Sequence, residues 1–345
     1  MYNFFRPLLF QLNPERAHAL TLHALRITGN VSLSRKLLEL IYTTPPKPVT
    51  AFGLTFKNPV GLAAGYDKDG VAIRGLAALG FGHVEIGTVT PKPQPGNPSP
   101  RLFRLVEDEA VINRMGFPSR GAEFMERQLS VINEQRSVVV GVNIGKNKET
   151  PNQEAEFDYL ALLSRFAPLA DYLTVNVSSP NTAGLRDLQE RRALENLLLH
   201  LHQQRMVEQE HHKRKLPILV KLSPDMEDAG LDDALEAILG THMDGVILTN
   251  TTLGRERLRS NYRGESGGLS GTPLTLKSEA VLHRAIKYLN GKLPVVSVGG
   301  IMDPEDARRR LDMGAALVQV YTGLIYRGPG LVREIIRAYA ESEVS

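Results

Sequence analysis

The chain has 345 residues, 42% of them hydrophobic and 23% charged, with a net charge of +3 from 41 Lys and Arg against 38 Asp and Glu. Such ordinary globular proportions exclude a disordered or fibrous protein, and the length suits either two domains or one large α/β barrel. With no cysteine, a disulfide framework, a thiolate metal site and a cysteine nucleophile or base are all excluded.

The charge is uneven. Arg6, Arg16, Arg26, Arg35, Lys36 and Lys47 against Glu15 and Glu39 give +4 in residues 1–50, which leaves −1 for the remainder. This basic leader reads as three short amphipathic helices. Phe4, Phe5, Leu8, Leu9 and Leu12 share one helical face. Asn13-Pro14-Glu15 restarts a helix, with Asn as N-cap, Pro in the first turn and Glu at the positive end of the dipole. Ala17, Leu20, Ala24 and Ile27 form its stripe, and Leu33, Leu37, Leu40 and Ile41 form a third. Pro45-Pro46-Lys47-Pro48 is a stiff linker. The leader is either a helical cap packed on the body or a module lying in a membrane interface. Nucleic-acid binding is disfavoured, because the basic residues are sparse and no recognition motif accompanies them. No apolar run reaches the ~18–20 residues of a membrane-spanning helix, and Met1–Leu12 lacks a signal-peptide pattern.

Beyond residue 58, eight strand-like runs recur: Val60–Ala64, Phe81–Val89, Val138–Ile144, Tyr172–Val177, Ile218–Leu222, Gly245–Thr249, Pro294–Val298 and Leu317–Tyr321. Helix-like stretches such as Leu194–Gln204, Leu231–Leu239 and Glu305–Met313 separate them. This alternation predicts an α/β fold, a (β/α)8 TIM barrel with a small N-terminal helical extension; an open doubly wound sheet is the rival. The gap after the second run has room for an insertion.

Active sites of such barrels sit where the strands end. Just past the runs lie Lys68, Thr88, Asn143, then Asn176, Ser178, Ser179 and Asn181, then Lys221, Thr249 and Asn250. Amides, hydroxyls and two lysines with few acids describe a site for an anionic ligand. Alternation after Ile218-Leu219-Val220 puts Lys221 in the barrel mouth, although a lysine at a strand end is otherwise often solvated. Gly299-Gly300 and Tyr321-Thr322-Gly323 follow the last two strands, where barrels commonly bind phosphate; they either cradle one or only turn the chain. Gly267-Gly268-Leu269-Ser270-Gly271 is a further backbone approach or an ordinary loop.

Several segments in order resemble the dihydroorotate dehydrogenase family, in its class 2, quinone-dependent, membrane-associated form. They are Asn58-Pro59-Val60-Gly61-Leu62-Ala63-Ala64-Gly65-Tyr66-Asp67-Lys68-Asp69-Gly70, Glu85-Ile86-Gly87-Thr88-Val89-Thr90, Asn113-Arg114-Met115-Gly116-Phe117, Asn143-Ile144-Gly145-Lys146-Asn147, Val175-Asn176-Val177-Ser178-Ser179-Pro180-Asn181-Thr182 and Thr249-Asn250-Thr251-Thr252, together with the two glycine segments. The resemblance runs from the leader to about residue 330. It implies an FMN enzyme that oxidises (S)-dihydroorotate to orotate in pyrimidine (UMP) biosynthesis and passes the electrons to a membrane quinone. It also implies peripheral contact with a membrane surface, on the cytoplasmic face of the inner membrane in a bacterial cell. No metal and no iron–sulfur partner subunit are expected.

By the same resemblance Ser179 is the catalytic base, on a loop expected to be flexible. Lys68, Asn113, Arg114, Met115, Gly116, Phe117, Asn176, Asn181, Asn250 and Thr251 surround the substrate. Ala64, Gly65, Lys68, Thr88, Asn143, Asn176, Lys221 and Thr249 surround the flavin ring and ribityl chain, and Gly271, Gly300, Tyr321 and Thr322 hold the phosphate end. His18, Arg104 and Tyr321 line the quinone site. Residues 1–45 form a membrane and quinone-access module, and 46–345 the FMN barrel. Pro118-Ser119-Arg120 departs from a family pattern that often carries asparagine there. Class 1 relatives use cysteine where this chain has Ser179, so a cysteine-free chain cannot run that chemistry. Two other readings compete: a soluble flavin dehydrogenase using fumarate or NAD, and a membrane-tethered phosphate-binding barrel without redox chemistry.

Overall fold

The computed structural model describes residues 2–132 and 137–342. Residue 1 of the expected leader module, and residues 133–136 and 343–345 of the expected barrel module, lie outside the described residues. The leader folds as α1 (Tyr2–Gln11), α2 (Pro14–Asn30) and α3 (Ser32–Tyr42). The Asn13 side chain caps α2 by accepting from the Glu15 N–H at 3.0 Å. A short hairpin, β1 (Val49–Ala51) and β2 (Leu54–Phe56), follows the proline linker.

The body then alternates. In chain order come β3 (Val60–Leu62), α4 (Ile73–Ala78), β4 (His83–Val89), β5 (Leu102–Leu105), β6 (Ala110–Asn113), α5 (Ala122–Ile132), β7 (Val139–Ile144), α6 (Ala155–Phe166), β8 (Tyr172–Asn176), α7 (Arg191–His212), β9 (Ile218–Leu222), α8 (Asp228–Gly240), β10 (Gly245–Leu248), β11 (Gly268–Gly271), α9 (Thr275–Leu289), β12 (Val295–Val298), α10 (Pro304–Asp312), β13 (Leu317–Val320), α11 (Thr322–Arg327) and α12 (Gly330–Ser342). Strands β3, β4, β7, β8, β9, β10, β12 and β13 pair in parallel and close into a barrel, so closure prevails over the open sheet. Each is buried on both faces along most of its length, as a parallel sheet wrapped in helices requires. The helices meet it with regular stripes, Leu194, Leu197, Leu198 and Leu201 in α7 and Leu231, Ala234, Leu235 and Ile238 in α8.

The insertion after β4 supplies β5 and β6, and β6 pairs antiparallel with β11. The segment 267–271 is therefore a strand of a three-stranded sheet, rather than a loop, because its backbone completes the pairing of Ala110–Asn113. At the opposite end the hairpin closes the barrel floor. Phe52 lies 6.5 Å from the Tyr172 ring, and Phe56 lies 5.3 Å from the His83 ring. Gly61 and Gly141 leave the space those rings occupy: a Cβ there would stand 2.0 Å from His83 and 2.1 Å from Tyr172.

The leader docks on the barrel flank. Helix α2 crosses α4 at a glycine contact, where a Cβ on Gly29 would lie 2.3 Å from the Gly75 nitrogen. Leu22 and Leu25 of α2 and Leu38 and Tyr42 of α3 pack on the core. Leu20 and Ile27, in the stripe read from the sequence, face outward instead. The helix is apolar on two sides, and the inward one is the side that carries the close glycine approach. Phe4, Phe5, Leu8, Leu33, Leu37 and Leu40 are likewise exposed.

Candidate functional site

One cavity lies at the carboxyl ends of the barrel strands, roofed by the β5–β6–β11 sheet and bordered by α2. It encloses about 1220 Å³, counting the part open to solvent. The barrel contributes Ala64, Gly65 and Lys68 after β3, Thr88 on β4, Asn176 and Ser179 at β8, Lys221 on β9 and Thr249, Asn250 and Thr251 after β10. The roof contributes Asn113, Met115, Gly116, Phe117 and Gly271. Residues spread over most of the sequence thus meet at one mouth.

The floor of the cavity is a hydrogen-bond chain of fixed direction. Glu85, fully buried on β4, accepts from Asn143 Nδ2 at 2.8 Å, Gln319 Nε2 at 2.9 Å and the Tyr172 hydroxyl at 3.2 Å. Asn143 turns its oxygen upward to Thr88 Oγ1 at 2.5 Å and Asn176 Nδ2 at 3.0 Å. Asn176 Oδ1 in turn accepts from Asn250 Nδ2 at 3.3 Å and from the Ser178 hydroxyl at 3.2 Å. Each amide can therefore offer a ligand only its remaining atoms.

Two ammonium groups flank this chain. Burial pulls Lys221 below the ordinary lysine range, and the charge of Glu85 offsets part of the shift. Lys221 has no hydrogen-bond partner among the described residues, yet it lines the cavity, so an anionic ligand is the partner its charge requires. Lys68 donates to the Gly65 carbonyl at 2.5 Å. Burial lowers it to about 8, with Asp69, Glu15 and Asp67 opposing the shift and Arg101 adding to it. Asp67 shapes this loop by accepting the N–H groups of Val71 and Ala72. Burial raises its carboxyl to about 6 despite those bonds.

Ser179 is buried at the cavity wall, and its Oγ accepts from the Asn181 N–H at 3.3 Å. Asn181 Nδ2 reaches Asn113 Oδ1 at 3.1 Å, joining the serine loop to the roof. The loop is also held from outside, where Arg186 Nε donates to the Ser178 carbonyl at 3.1 Å.

At the far end, Gly299 and Gly300 adopt φ of 105° and 73°. A Cβ on Gly300 would stand 2.4 Å from Thr275 Cα, so this glycine is demanded by the protein's own backbone as well as by conformation. Arg310, fully buried, braces the loop from behind with a bond from Nη2 to the Gly299 carbonyl at 3.2 Å. Thr322 and Gly323 open α11, where the first N–H groups of a helix have no intrahelical acceptor.

On the leader side, His18 packs edge-on to Tyr66 at 5.0 Å, and Tyr66 to Tyr321 at 5.7 Å. His18 and Tyr321 both line the cavity. Burial, and secondarily the charge of Lys68, lowers His18 to about 3, so its ring is neutral at physiological pH.

Three residues expected at the site stand outside its lining. Asn143 lies one hydrogen bond behind Thr88 and Asn176, which do line the cavity. Arg104 donates to the Phe10 carbonyl at 3.0 Å with its guanidinium 4.2 Å from the Phe10 ring centroid. Arg114 turns away to Glu265 at 2.6 Å and over the Phe103 ring at 4.5 Å, drawn by an opposite charge and an aromatic face. In the departing segment, Pro118 lines the cavity while the Arg120 N–H donates to Asp69. Sequence reasoning missed Glu85, Gln319, Tyr66 and Arg186. Glu85 and Gln319 left a signal, as an acid and an amide inside strand runs that are mostly apolar.

The residues fit the FMN that the resemblance implies: an unpaired buried ammonium, a ring of amides and hydroxyls, and glycine-rich turns share one cavity.

Known proteins share this sequence and fold. Residues 48–342 match the dihydroorotate dehydrogenase family profile. A protein of Stenotrophomonas maltophilia named dihydroorotate dehydrogenase (quinone) is 49% identical over 98% of this chain and 95% of its own length. One of the same name from Idiomarina loihiensis is 48% identical over 97% and 99%. A crystal structure of the Eimeria tenella enzyme in complex with ferulenol superposes with a TM-score of 0.82 at 38% identity, covering 91% of this chain and 93% of that one.

Proposed function

The chain belongs to the dihydroorotate dehydrogenase family, and from that premise we propose that its cavity holds FMN with dihydroorotate beside it, Ser179 acting as base. The protein is a flavoprotein oxidoreductase that oxidises dihydroorotate with a quinone as acceptor, in pyrimidine biosynthesis. The observation that carries the site assignment is that Lys68, Ser179 and Lys221 share one cavity at the carboxyl end of a closed barrel.

When bound, FMN supplies the hydride acceptor. The chain's own residues supply the rest. Dihydroorotate is a carboxylate on an imide-like ring, so it needs a cation and several amides in fixed positions. Lys68 provides the cation. Asn176 and Asn250 provide donors and acceptors whose directions the Glu85 chain sets, Asn113 and Asn181 add a pair oriented by their own mutual bond, and Thr251 and Met115–Phe117 close the pocket around them. Ser179 Oγ takes the proton from C5 of the ring. A hydroxyl is a weak base at its ordinary pKa, so the proton must pass onward to water. Lys221 stabilises the negative charge that arrives with the electrons. Ala64, Gly65, Thr88 and Thr249 frame the ring and ribityl chain, with Asn143 holding Thr88 and Asn176 from behind, and Gly271, Gly300, Tyr321 and Thr322 take the phosphate end.

The quinone approaches from the leader side, past His18 and Tyr321, with Arg104 further out beneath α1. The neutral His18 ring and the Tyr66–Tyr321 contact support an apolar route of this kind. Among the described residues no helix is long and apolar enough to cross a membrane. The outward faces of α1–α3 carry a concentration of exposed apolar side chains, which supports peripheral contact with a bilayer, at the cytoplasmic face of the inner membrane in a bacterial cell. Residues 1–45 thus serve as the membrane and quinone-access module, and 46–345 as the FMN barrel.

The test is the purified protein's chromophore. Heat release is expected to yield FMN at one per chain, and anaerobic dihydroorotate to bleach it. Release of FAD, or of no flavin, refutes the cofactor assignment.

A further inference from the structure

Outside the cavity, one guanidinium joins two of the loops that form it. Gly184, with φ of 67°, turns the chain after the serine loop so that Arg186 points back toward the barrel. Arg186 Nε donates to the Ser178 carbonyl at 3.1 Å, Nη2 to the Thr251 carbonyl at 3.0 Å and Nη1 to Asp225 Oδ2 at 3.0 Å. The first acceptor belongs to the peptide that leads into Ser179, and the second to the loop carrying Asn250 and Thr251. The third, Asp225, follows β9, the strand of Lys221. Asp225 also accepts from the Thr252 hydroxyl at 2.5 Å, the Leu253 N–H at 2.8 Å and Lys277 Nζ at 2.5 Å.

We propose that Arg186, anchored by Asp225, is a positioning residue for the dehydrogenation: it fixes Ser179 against Asn250 and Thr251, and so sets the distance over which the proton leaves the substrate. This rests on the reading that Ser179 is the base and that Asn250 and Thr251 grip dihydroorotate.

The geometry favours arginine alone. The planar fork presents donors on three edges, so one side chain satisfies two carbonyls and a carboxylate at once; an ammonium is a point charge on a flexible stem. Both partners are mostly shielded, with side-chain exposures of 21% and 18%. Burial pushes the Asp225 carboxyl up, but the bonds from Lys277, Thr252, Leu253 and Arg186 outweigh it and hold Asp225 below the usual carboxylate range. The anchor is therefore charged at neutral pH. Arg186 itself does not line the cavity, so its effect passes through the backbone at Ser178 and Thr251. That places it in the half-reaction with dihydroorotate and leaves the quinone half-reaction untouched, because His18 and Tyr321 lie on the opposite side.

The experiment compares Arg186→Ala, Arg186→Lys and Ser179→Ala in the flavin-loaded full chain by stopped flow. Each half-reaction is followed separately, together with orotate affinity and thermal midpoint. Arg186→Ala is expected to slow flavin reduction by about 10²-fold, the cost of about an ångström of misplacement. Reoxidation by a ubiquinone analogue should stay within about twofold of the parent. Arg186→Lys, which keeps the charge and should fold, is expected to be slowed by about tenfold, since the donors of one ammonium nitrogen cannot span the two carbonyls and the carboxylate that the fork reaches. Added methylguanidine should restore part of the rate to Arg186→Ala and none to Ser179→Ala. Unchanged reduction in both arginine variants overturns the inference, as does a parallel loss of reduction, reoxidation and thermal midpoint. If Ser179→Ala itself reduces at the normal rate, the underlying site reading fails instead.

Discussion

Replacing Leu33, Leu37 and Leu40 together by serine tests whether the leader meets a bilayer. The three sit at i, i+4 and i+7 of α3 and are 81%, 57% and 81% exposed, the equivalent of about two fully exposed leucines. Burying a leucine is worth about 1.5–3 kcal/mol. Sinking this face into the interface therefore contributes about 3–6 kcal/mol, or about 10²–10⁴-fold in partitioning. The assay is co-sedimentation with vesicles of mixed neutral and anionic lipid, with dihydroorotate-dependent bleaching as the control for folding. The triple variant should bleach normally, lose vesicle binding by at least about 10²-fold and turn over membrane-embedded quinone slowly. Partitioning equal to the parent would refute the interfacial role and leave α3 as a plain cap. Point substitutions suit the question better than truncation, because α2 is keyed into α4 at Gly29 and Gly75 and its removal would uncover core residues.

Three further outcomes are expected. Ser179→Ala should keep its flavin but reduce it about 10²–10⁴-fold more slowly, the usual worth of a positioned base; rapid-mixing absorbance of the loaded protein checks this. Lys221→Ala should slow reduction by about 10²–10³-fold and lower the flavin midpoint potential, read by dye-coupled titration. Orotate affinity should fall with rising pH. Lys68 is lowered to about 8 in the folded protein, so its ammonium is present below that pH and lost above it. The dissociation constant should then climb toward about tenfold per pH unit on the alkaline side, a trend Lys68→Ala would abolish. Among its charged neighbours Asp67, which burial raises to about 6, changes charge below this window and not within it.

Much of this was legible in the sequence because parallel strands buried on both faces are near-continuous apolar runs. Val139–Ile144 and Ile218–Leu222 needed only their composition to be seen, and the residues just past such runs converge on the mouth by topology. Other features depend on partners distant in the chain. Gly268–Gly271 is a strand only because Ala110–Asn113 lies beside it. The floor hairpin is two three-residue strands, too short for any period to show. Helix α2 is apolar on two faces, so periodicity could not say that Leu22 and Leu25 turn inward while Leu20 and Ile27 turn out. Arg114 and Arg186 look alike in sequence. One is spent on Glu265 at the surface, and the other binds two carbonyls behind the serine loop. The Glu85 chain illustrates the same limit: a single acid in a strand marks something unusual, but its three donors come from three other strands.

The most direct measurement is anaerobic stopped flow on the flavin-loaded full chain in two mixing steps. Dihydroorotate should bleach the flavin in the first, and a ubiquinone analogue should restore the colour in the second, where fumarate and NAD do not. A flavin that dihydroorotate leaves oxidised, or one that fumarate reoxidises as fast as the quinone, would contradict the account.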